Sequence, residues 1–276
     1  MRELRTCPVT GVMVLLNDGW PDQPADLPTP ASTCWPCEAV APVIMESGAL
    51  RAVPHPVPAL GIEGSIQWDQ GAGAVRRDAV GAHEILFGEH DGGGAGLLAF
   101  AASRIADLRR DRRLRGFRLL REWRPGAHPM WQLFALPVDD VPGEAGPWRA
   151  AELAAGTRVV AREAGAVAFA AWAPRVPFEV WVMPTGEGAF PSGSAAVEAL
   201  AESVAATLSG ALGGAAVKGV VEAGEPWRLV LRPFTRPSVP TSDVDLPGHG
   251  VFPERAAVLI RGWLTTHAPL VAGAVG

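Results

Sequence analysis

The chain has 276 residues and a formal net charge of −5, with 48% hydrophobic and 19% charged residues. This length accommodates one large or two small domains, and the composition is that of a globular protein. The acidic balance argues against a nucleic-acid-binding surface, and the lack of any run of about 18 apolar residues argues against a membrane span. The N-terminal sequence has no long apolar run, so we expect a cytoplasmic protein without a signal peptide.

The first half of the chain alternates short apolar runs with glycine and proline. Period-two alternation predicts strands, and apolar residues spaced three and four apart predict a helix. The predicted elements are strands at 9–16, 82–87, 117–123 and 129–136, with a helix at 97–114. The proline-rich segment 21–58 is expected to form an irregular loop.

The second half of the chain repeats this pattern in part. Its predicted elements are strands at 158–162, 166–172, 178–183 and 227–231, with helices at 195–212 and 255–264. A strand, a helix and two strands in each half indicate a duplicated α+β unit. We therefore expect an α+β fold with one domain at 1–150 and a second at 151–276.

The cysteines suggest a metal or redox role. Three cysteines, Cys7, Cys34 and Cys37, are too few and odd in number for a disulfide framework in a cytosolic chain. Cys34 and Cys37 form a CxxC, which supplies two of the four ligands of a closed tetrahedral zinc site. His90 and His128, each at the end of a predicted strand in the same half, are candidates for the other two. The alternative for the CxxC is a redox role. The alternative for each histidine is a position on the surface, or in the core with its hydrogen bonds satisfied.

Five segments, in order along the chain, carry a resemblance to a known family. They are 6–16 (TCPVTGVMVLL), 81–90 (GAHEILFGEH), 128–132 (HPMWQ), 159–184 (ending in PFEVWVMP) and 253–257 (PERAA). They resemble segments of the galactose-1-phosphate uridylyltransferase family, including its D-P-x-T-G opening and its H-P-H-x-Q active-site motif. The resemblance implies two histidine-triad-like halves, each an antiparallel sheet with a packed helix, that often form a homodimer.

The resemblance also implies a zinc site. The family's zinc ligands correspond to Cys34, Cys37, His90 and His128, so all four positions are kept. Two thiolates and two neutral imidazoles are a soft ligand set that suits zinc. In this family the zinc lies near the active site and is mainly structural.

The active-site motif departs from the family pattern. Met130 occupies the position of the second histidine of H-P-H-x-Q, which is the family's nucleophile, whereas Gln132 is retained. A thioether is a weak acceptor and cannot replace an imidazole nucleophile at neutral pH. Trp20 and Gln23 stand where the family usually has a pair of arginines. Trp20, Met130 and Trp131 would make the expected ligand cleft more hydrophobic.

Other residues allow two interpretations each. Arg228 and Arg232 either form a new anion site or lie on one solvated face of a strand. The segment 57–60 (VPAL) resembles a stretch that borders the family's base pocket, but it also fits the edge of a core strand. His83 lies within a predicted strand, so we expect it to pack rather than to replace the nucleophile.

Three functions are compatible with these residues. The first is a zinc-containing protein that has lost covalent nucleotidyl transfer and binds a small ligand such as a nucleotide or sugar phosphate. The second is an active nucleotidyl or hexose-1-phosphate uridylyltransferase that uses another nucleophile or direct in-line transfer. The third is an enzyme of different chemistry in a specialised biosynthetic pathway, since fold alone does not fix function.

Overall fold

The structure is a computed structural model that describes most of the chain. The described residues are 2–6, 13–17, 42–56, 58–64, 69–71, 74–90, 94–123, 127–137, 146–172, 174–234 and 251–266. Contacts divide the chain into two units. The first unit contains Met1–Leu119 and His128–Asp140, and the second contains Leu120–Ala127 and Val141–Gly276.

The first unit contains two sheets, and the strand pairs described in them are antiparallel. The smaller sheet has the order β2-β1-β6-β5, with strands β1 (Arg2–Thr6), β2 (Met13–Asn17), β5 (Asp69–Gly71) and β6 (Ala74–Asp78). The larger sheet has the order β8-β9-β7-β4-β3, with strands β3 (Met45–Ser47), β4 (Leu50–Pro54), β7 (Ala82–Phe87), β8 (Gly116–Trp123) and β9 (Met130–Leu136). The second half of β8 belongs to the second unit.

Helix α1 (Leu97–Leu108) covers one face of the larger sheet and packs on β4, β7 and β9. Its buried apolar residues recur at the three- and four-residue spacing of one helix face. They are Leu97, Leu98, Phe100, Ala101 and Ile105. The buried Arg104 on the same face forms a two-bond ion pair with the Glu84 carboxylate of β7, at 2.7 and 2.8 Å. This pair fixes the helix to the sheet.

The second unit is built around a sheet with the order β10-β11-β12-β14-β13. Its elements are α2 (Gly146–Ala155), β10 (Val159–Glu163), β11 (Ala166–Ala170), β12 (Val180–Pro184), α3 (Ser194–Ala211), β13 (Val217–Glu222), β14 (Arg228–Pro233) and α4 (Pro253–Thr266). Helix α3 packs on β11, β12 and β14, and α4 packs on β10, β11 and α3. The second unit repeats the arrangement of the larger sheet and helix of the first. Each consists of a hairpin, a third strand, a helix and two further strands, and the last of these strands pairs with the third. The protein is thus a mixed α/β fold with antiparallel sheets.

The structure agrees with much of the predicted pattern and corrects part of it. Strands β7, β9, β11, β12 and β14 and helices α3 and α4 are confirmed within one or two residues at most ends. The irregular loop predicted at 21–58 is wrong in its last part, because β3 and β4 form a hairpin whose turn uses Gly48 at φ +60°. The predicted boundary at residue 150 lies inside α2, which the sequence pattern missed.

Helix α1 also ends earlier than predicted, at Leu108 rather than at residue 114. The reason is local. Asp111 accepts hydrogen bonds from the backbone N–H and the guanidinium of Arg113, and such side-chain bonds compete with helical ones. Among the described residues, none of the helices has both the length and the apolar character needed to cross a membrane.

A glycine in the second unit makes room for a large side chain. A Cβ on Gly219 of β13 would lie 2.3 and 2.7 Å from two ring atoms of Trp123. The indole cannot retreat freely, because its Nε1–H donates to Glu202 Oε2 at 2.7 Å. Gly219 is therefore required by packing.

We predict that Gly219→Ala lowers the free energy of unfolding by about 1–3 kcal/mol, the usual range for overpacking. The control is Gly262→Ala in α4, where an added Cβ would meet no atom within 4 Å. That change should stabilise the protein by up to about 1 kcal/mol, because alanine has the higher helix propensity. Urea unfolding measures the free energy of unfolding of both variants. Equal stability of the two variants would refute the packing argument.

Candidate functional site

The candidate site lies on the neighbouring strands β7 and β9. Their antiparallel register places Phe87 opposite Met130 and Ile85 opposite Gln132. Because successive side chains of a strand point to opposite faces, Met130 and Gln132 share the sheet face that is opposite α1. Trp131, between them, is fully buried on the α1 face. Trp131 thus belongs to the core and cannot line the surface formed by Met130 and Gln132.

Met130 packs into an apolar cluster. Its half-buried side chain lies against Val53, Ile85 and Phe87, which are themselves buried. The position that would carry a nucleophile in the resembled motif is therefore held by a thioether among hydrocarbon neighbours. A thioether sulfur accepts hydrogen bonds only weakly, unlike an imidazole nitrogen. The loss of the nucleophile at this position stays a prediction.

The two described histidines of the predicted zinc set lie side by side. The ring centroids of His90 and His128 are 4.9 Å apart, and the rings are close to perpendicular. His128 is buried and its Nε2 lies 2.9 Å from the carbonyl oxygen of Gly88. Since a carbonyl only accepts, Nε2 must carry the proton, and Nδ1 then carries the lone pair that a metal needs. A cavity of about 250 Å³ lies beside the two rings, with Arg51 and Glu89 in its wall.

The remaining predicted ligands cannot be compared with this geometry. Cys34 and Cys37, together with Trp20 and Gln23, lie outside the described residues. Within the described ranges, no group of three or more histidine, cysteine, aspartate or glutamate side chains is placed to hold a metal ion. A closed zinc site needs four ligands, so the zinc set stays a prediction.

His83 lies near Gln132 on the same face and is held on several sides. Its ring is stacked between His55 and Phe134, with centroid distances of 4.0 Å to each. Nδ1 accepts the backbone N–H of Ala59 at 3.1 Å, and Nε2 lies 3.2 Å from Gln132 Oε1. Burial, assisted by the nearby charge of His55, lowers the pKa of His83 to about 4.

These contacts answer two questions left open by the sequence. His83 does pack, as expected, but it also bonds to Gln132, which the sequence analysis missed. Both of its ring nitrogens are engaged, so His83 has no lone pair to offer as a substitute nucleophile. Ala59 and Leu60 of the VPAL segment are buried, and Leu60 packs with Phe134. These two residues thus have core roles.

The arginines Arg228 and Arg232 of the second unit are paired with carboxylates. Arg228 donates through Nε and Nη2 to Glu222 Oε2, at 2.7 and 2.5 Å, and lies over the ring of Trp181. Arg232 donates to Glu179 Oε2 at 3.0 Å and lies 3.5 Å from Glu222 Oε1. Two positive and two negative groups balance locally, so an anion would have to displace these carboxylates. Ligand binding by the two arginines stays a prediction.

The structure resembles solved structures along most of its length. A uridylyltransferase structure matches it with a TM-score of 0.72 at 18% identity, covering 96% of this chain and 99% of that chain. An ADP-glucose phosphorylase from Arabidopsis thaliana with bound ADP-glucose matches with a TM-score of 0.62 at 19% identity, covering 95% of this chain and 98% of that chain. A GalT-like protein from Arabidopsis thaliana matches with a TM-score of 0.61 at 18% identity, covering 77% of this chain and 83% of that chain.

No protein-family model matches the sequence, and no curated protein does. The likeness is therefore one of fold, carried by the arrangement of strands and helices rather than by sequence identity. The chain has the fold of the uridylyltransferase structure over nearly the whole length of both chains.

Proposed function

We propose that this chain is a zinc-containing, uridylyltransferase-like protein, built of two histidine-triad-like halves, that binds a nucleotide or sugar phosphate without covalent nucleotidyl transfer. The observation that carries the proposal is the position of Met130, which packs with apolar neighbours next to Gln132 on the half-buried side of β9. The shared strand order of the two units and the likeness to uridylyltransferase structures support the two-halves layout.

Loss of covalent transfer follows from the chemistry of the residues beside Gln132. A covalent route needs a side chain that attacks phosphorus with a lone pair and then releases it again. Met130 has only a thioether, and both nitrogens of His83 are engaged by Ala59 and Gln132. These contacts leave His83 unable to act as a substitute nucleophile. They favour a binding role over turnover.

Gln132 supports the binding of an anionic ligand. A carboxamide offers two N–H donors, and phosphoryl oxygens accept such bonds well. Gln132 is half-buried, so its amide can meet a ligand while being partly shielded from water. Partial burial strengthens a hydrogen bond to a charged oxygen relative to the same bond in water.

The proposed zinc site would use Cys34, Cys37, His90 and His128. Zinc bound by two thiolates and two imidazoles contributes stability to the fold, because the unfolded chain has no preformed site. In this role His128 is oriented by the Gly88 carbonyl, and His90 lies beside it. The metal would anchor the proline-rich segment that carries the CxxC to the strand ends that carry the histidines.

The zinc proposal predicts about one zinc ion per purified chain, measured by elemental analysis. Cys37→Ser and His128→Ala should each abolish retention of the metal and lower the melting temperature. His249→Ala, which changes a histidine outside the proposed set, is the control and should retain the metal. A wild-type protein that remains free of zinc after expression in zinc-supplemented medium would refute the zinc proposal.

The ligand proposal predicts thermal stabilisation by a nucleotide sugar. A ligand at 100-fold excess over its Kd adds about 2.7 kcal/mol to native stability, or roughly 5 °C in melting temperature for a chain of this size. The panel is UDP-glucose, ADP-glucose, the free nucleotides and glucose-1-phosphate, with glucose as the control that lacks phosphate. Turnover of any of these at the usual enzymatic rates, roughly 1–1,000 per second, would contradict the proposal.

The Met130 interpretation predicts a gain of function. Met130→His restores an imidazole at this position, and the variant should slowly form a covalent nucleotidyl adduct with the nucleotide sugar that stabilises the wild type. Met130→Leu is the matched control, because it keeps an apolar side chain and should form no adduct. Intact-mass spectrometry measures the adduct. An adduct on the wild-type protein would show that another residue is the nucleophile.

A further inference from the structure

The imidazole of His83 is held in one position by three different elements. His55, one residue after β4, stacks on one face of the ring, and Phe134 of β9 stacks on the other, both at 4.0 Å. The backbone N–H of Ala59 donates to Nδ1 at 3.1 Å. Only 7% of the residue is exposed. The ring therefore has no room to rotate or flip.

The identity of these neighbours fixes where the proton of the ring lies. A backbone N–H can only donate, so Nδ1 must present its lone pair to Ala59. A neutral imidazole carries one proton, and this proton is then on Nε2. The pKa of about 4 keeps the ring neutral at physiological pH. His83 is thus a fixed hydrogen-bond donor directed at Gln132.

A fixed donor also selects one orientation of the carboxamide. The oxygen and nitrogen ends of a glutamine amide are alike in shape, and local hydrogen bonds decide between the two orientations. Nε2–H of His83, 3.2 Å from Gln132, can donate only to Oε1. In the flipped orientation two N–H donors would face each other, leaving both without an acceptor.

From this geometry we infer that His83 is a positioning residue that holds the Gln132 carboxamide with its oxygen end inward and its –NH2 end presented to an anionic ligand. The inference rests on the proposed function in one respect, namely that Gln132 contacts the ligand. Without His83, the Gln132 carboxamide could turn, and its Oε1, which repels a phosphoryl oxygen, would then face the ligand. His83 would then act on affinity without touching the ligand.

Two substitutions separate the contacts of His83. His83→Gln places an amide near the position of Nε2 and can still donate to Gln132. His83→Asn places its amide near the position of Nδ1, where it can accept from Ala59 but is too short to reach Gln132. Both variants lose the aromatic stacking with His55 and Phe134, and only His83→Gln also loses the acceptor for the Ala59 N–H. Weaker binding by His83→Asn than by His83→Gln would therefore report the lost contact with Gln132.

The first test uses nuclear magnetic resonance and needs no ligand. In ¹⁵N-histidine-labelled full-length protein, the His83 signals are identified by their loss in His83→Asn, and we expect the Nε2–H tautomer. His55 is the titratable group stacked on the ring, so the titration is followed in His55→Gln as well. In uniformly ¹⁵N-labelled protein, the two side-chain amide proton signals of Gln132 should form one sharp pair in the wild type and be altered in His83→Asn. An Nδ1–H tautomer, or titration of His83 near 6.5, would overturn the inference.

The sign of the pH dependence follows from the lowered pKa. The pKa of His83 in the folded protein, about 4, lies below the ordinary histidine value of 6.5, so the unfolded state binds more protons between these values. The contribution of neutral His83 to stability is complete above about pH 6.5 and is lost as the pH falls toward 4. The decrease in urea midpoint over this range should be smaller in His83→Asn than in the wild type.

The second test measures affinity for UDP-glucose and ADP-glucose. We expect His83→Asn and Gln132→Ala each to weaken binding roughly tenfold, the usual effect of losing a hydrogen bond to a charged group. His83→Gln should stay within about threefold of the wild type. In the Gln132→Ala background, His83→Asn should cause no further loss, because its effect passes through Gln132.

The outcomes distinguish the inference from the proposed function. If the wild type binds neither nucleotide sugar, the proposed ligand is wrong, and the magnetic resonance test still decides the tautomer and the amide orientation. If Gln132→Ala weakens binding and His83→Asn does not, the positioning role of His83 is wrong. An equal loss for His83→Asn with and without Gln132 would indicate a general structural role instead.

Discussion

The antiparallel register of β7 and β9 is the constraint on which the candidate site depends. It places Phe87 opposite Met130 and Ile85 opposite Gln132, and it brings His83 within hydrogen-bond distance of Gln132. Because side chains alternate along a strand, a slip of one residue would turn Gln132 into the core. The fully buried side chains on the α1 side of β9 oppose such a slip. The packing on this face therefore determines which side chains lie on the opposite face.

The two faces of the β7–β9 pair each contain buried polar side chains, and these are stabilised in different ways. Buried polar groups are tolerated only when they have partners. On the α1 side, Glu84 and Arg104 remain charged and neutralise each other through two hydrogen bonds. On the opposite side, His83 is kept neutral between an N–H donor and Gln132. Both arrangements leave few alternative rotamers, so the polar groups at the site are preorganised.

The regular elements were largely predictable, whereas the contacts of the site were not. Strands such as β7 and β12 and the helix α3 have clear apolar patterns in the sequence, because most of their residues are buried. The β3–β4 hairpin was missed because its strands have only three and five residues, too few for a clear alternation. The His83–Gln132 hydrogen bond joins residues 49 positions apart. Local periodicity contains no information about such a pairing.

The sequence by itself determined which chemical groups are present: Met130 in place of a histidine, a retained Gln132, and a set of cysteines and histidines suited to zinc. These follow from residue identity alone. Only the tertiary structure decided that Trp131 is core, that Arg228 is paired with Glu222, and that His83 is a neutral donor. The reason is that protonation state, orientation and exposure depend on neighbours, and the neighbours come from distant parts of the chain.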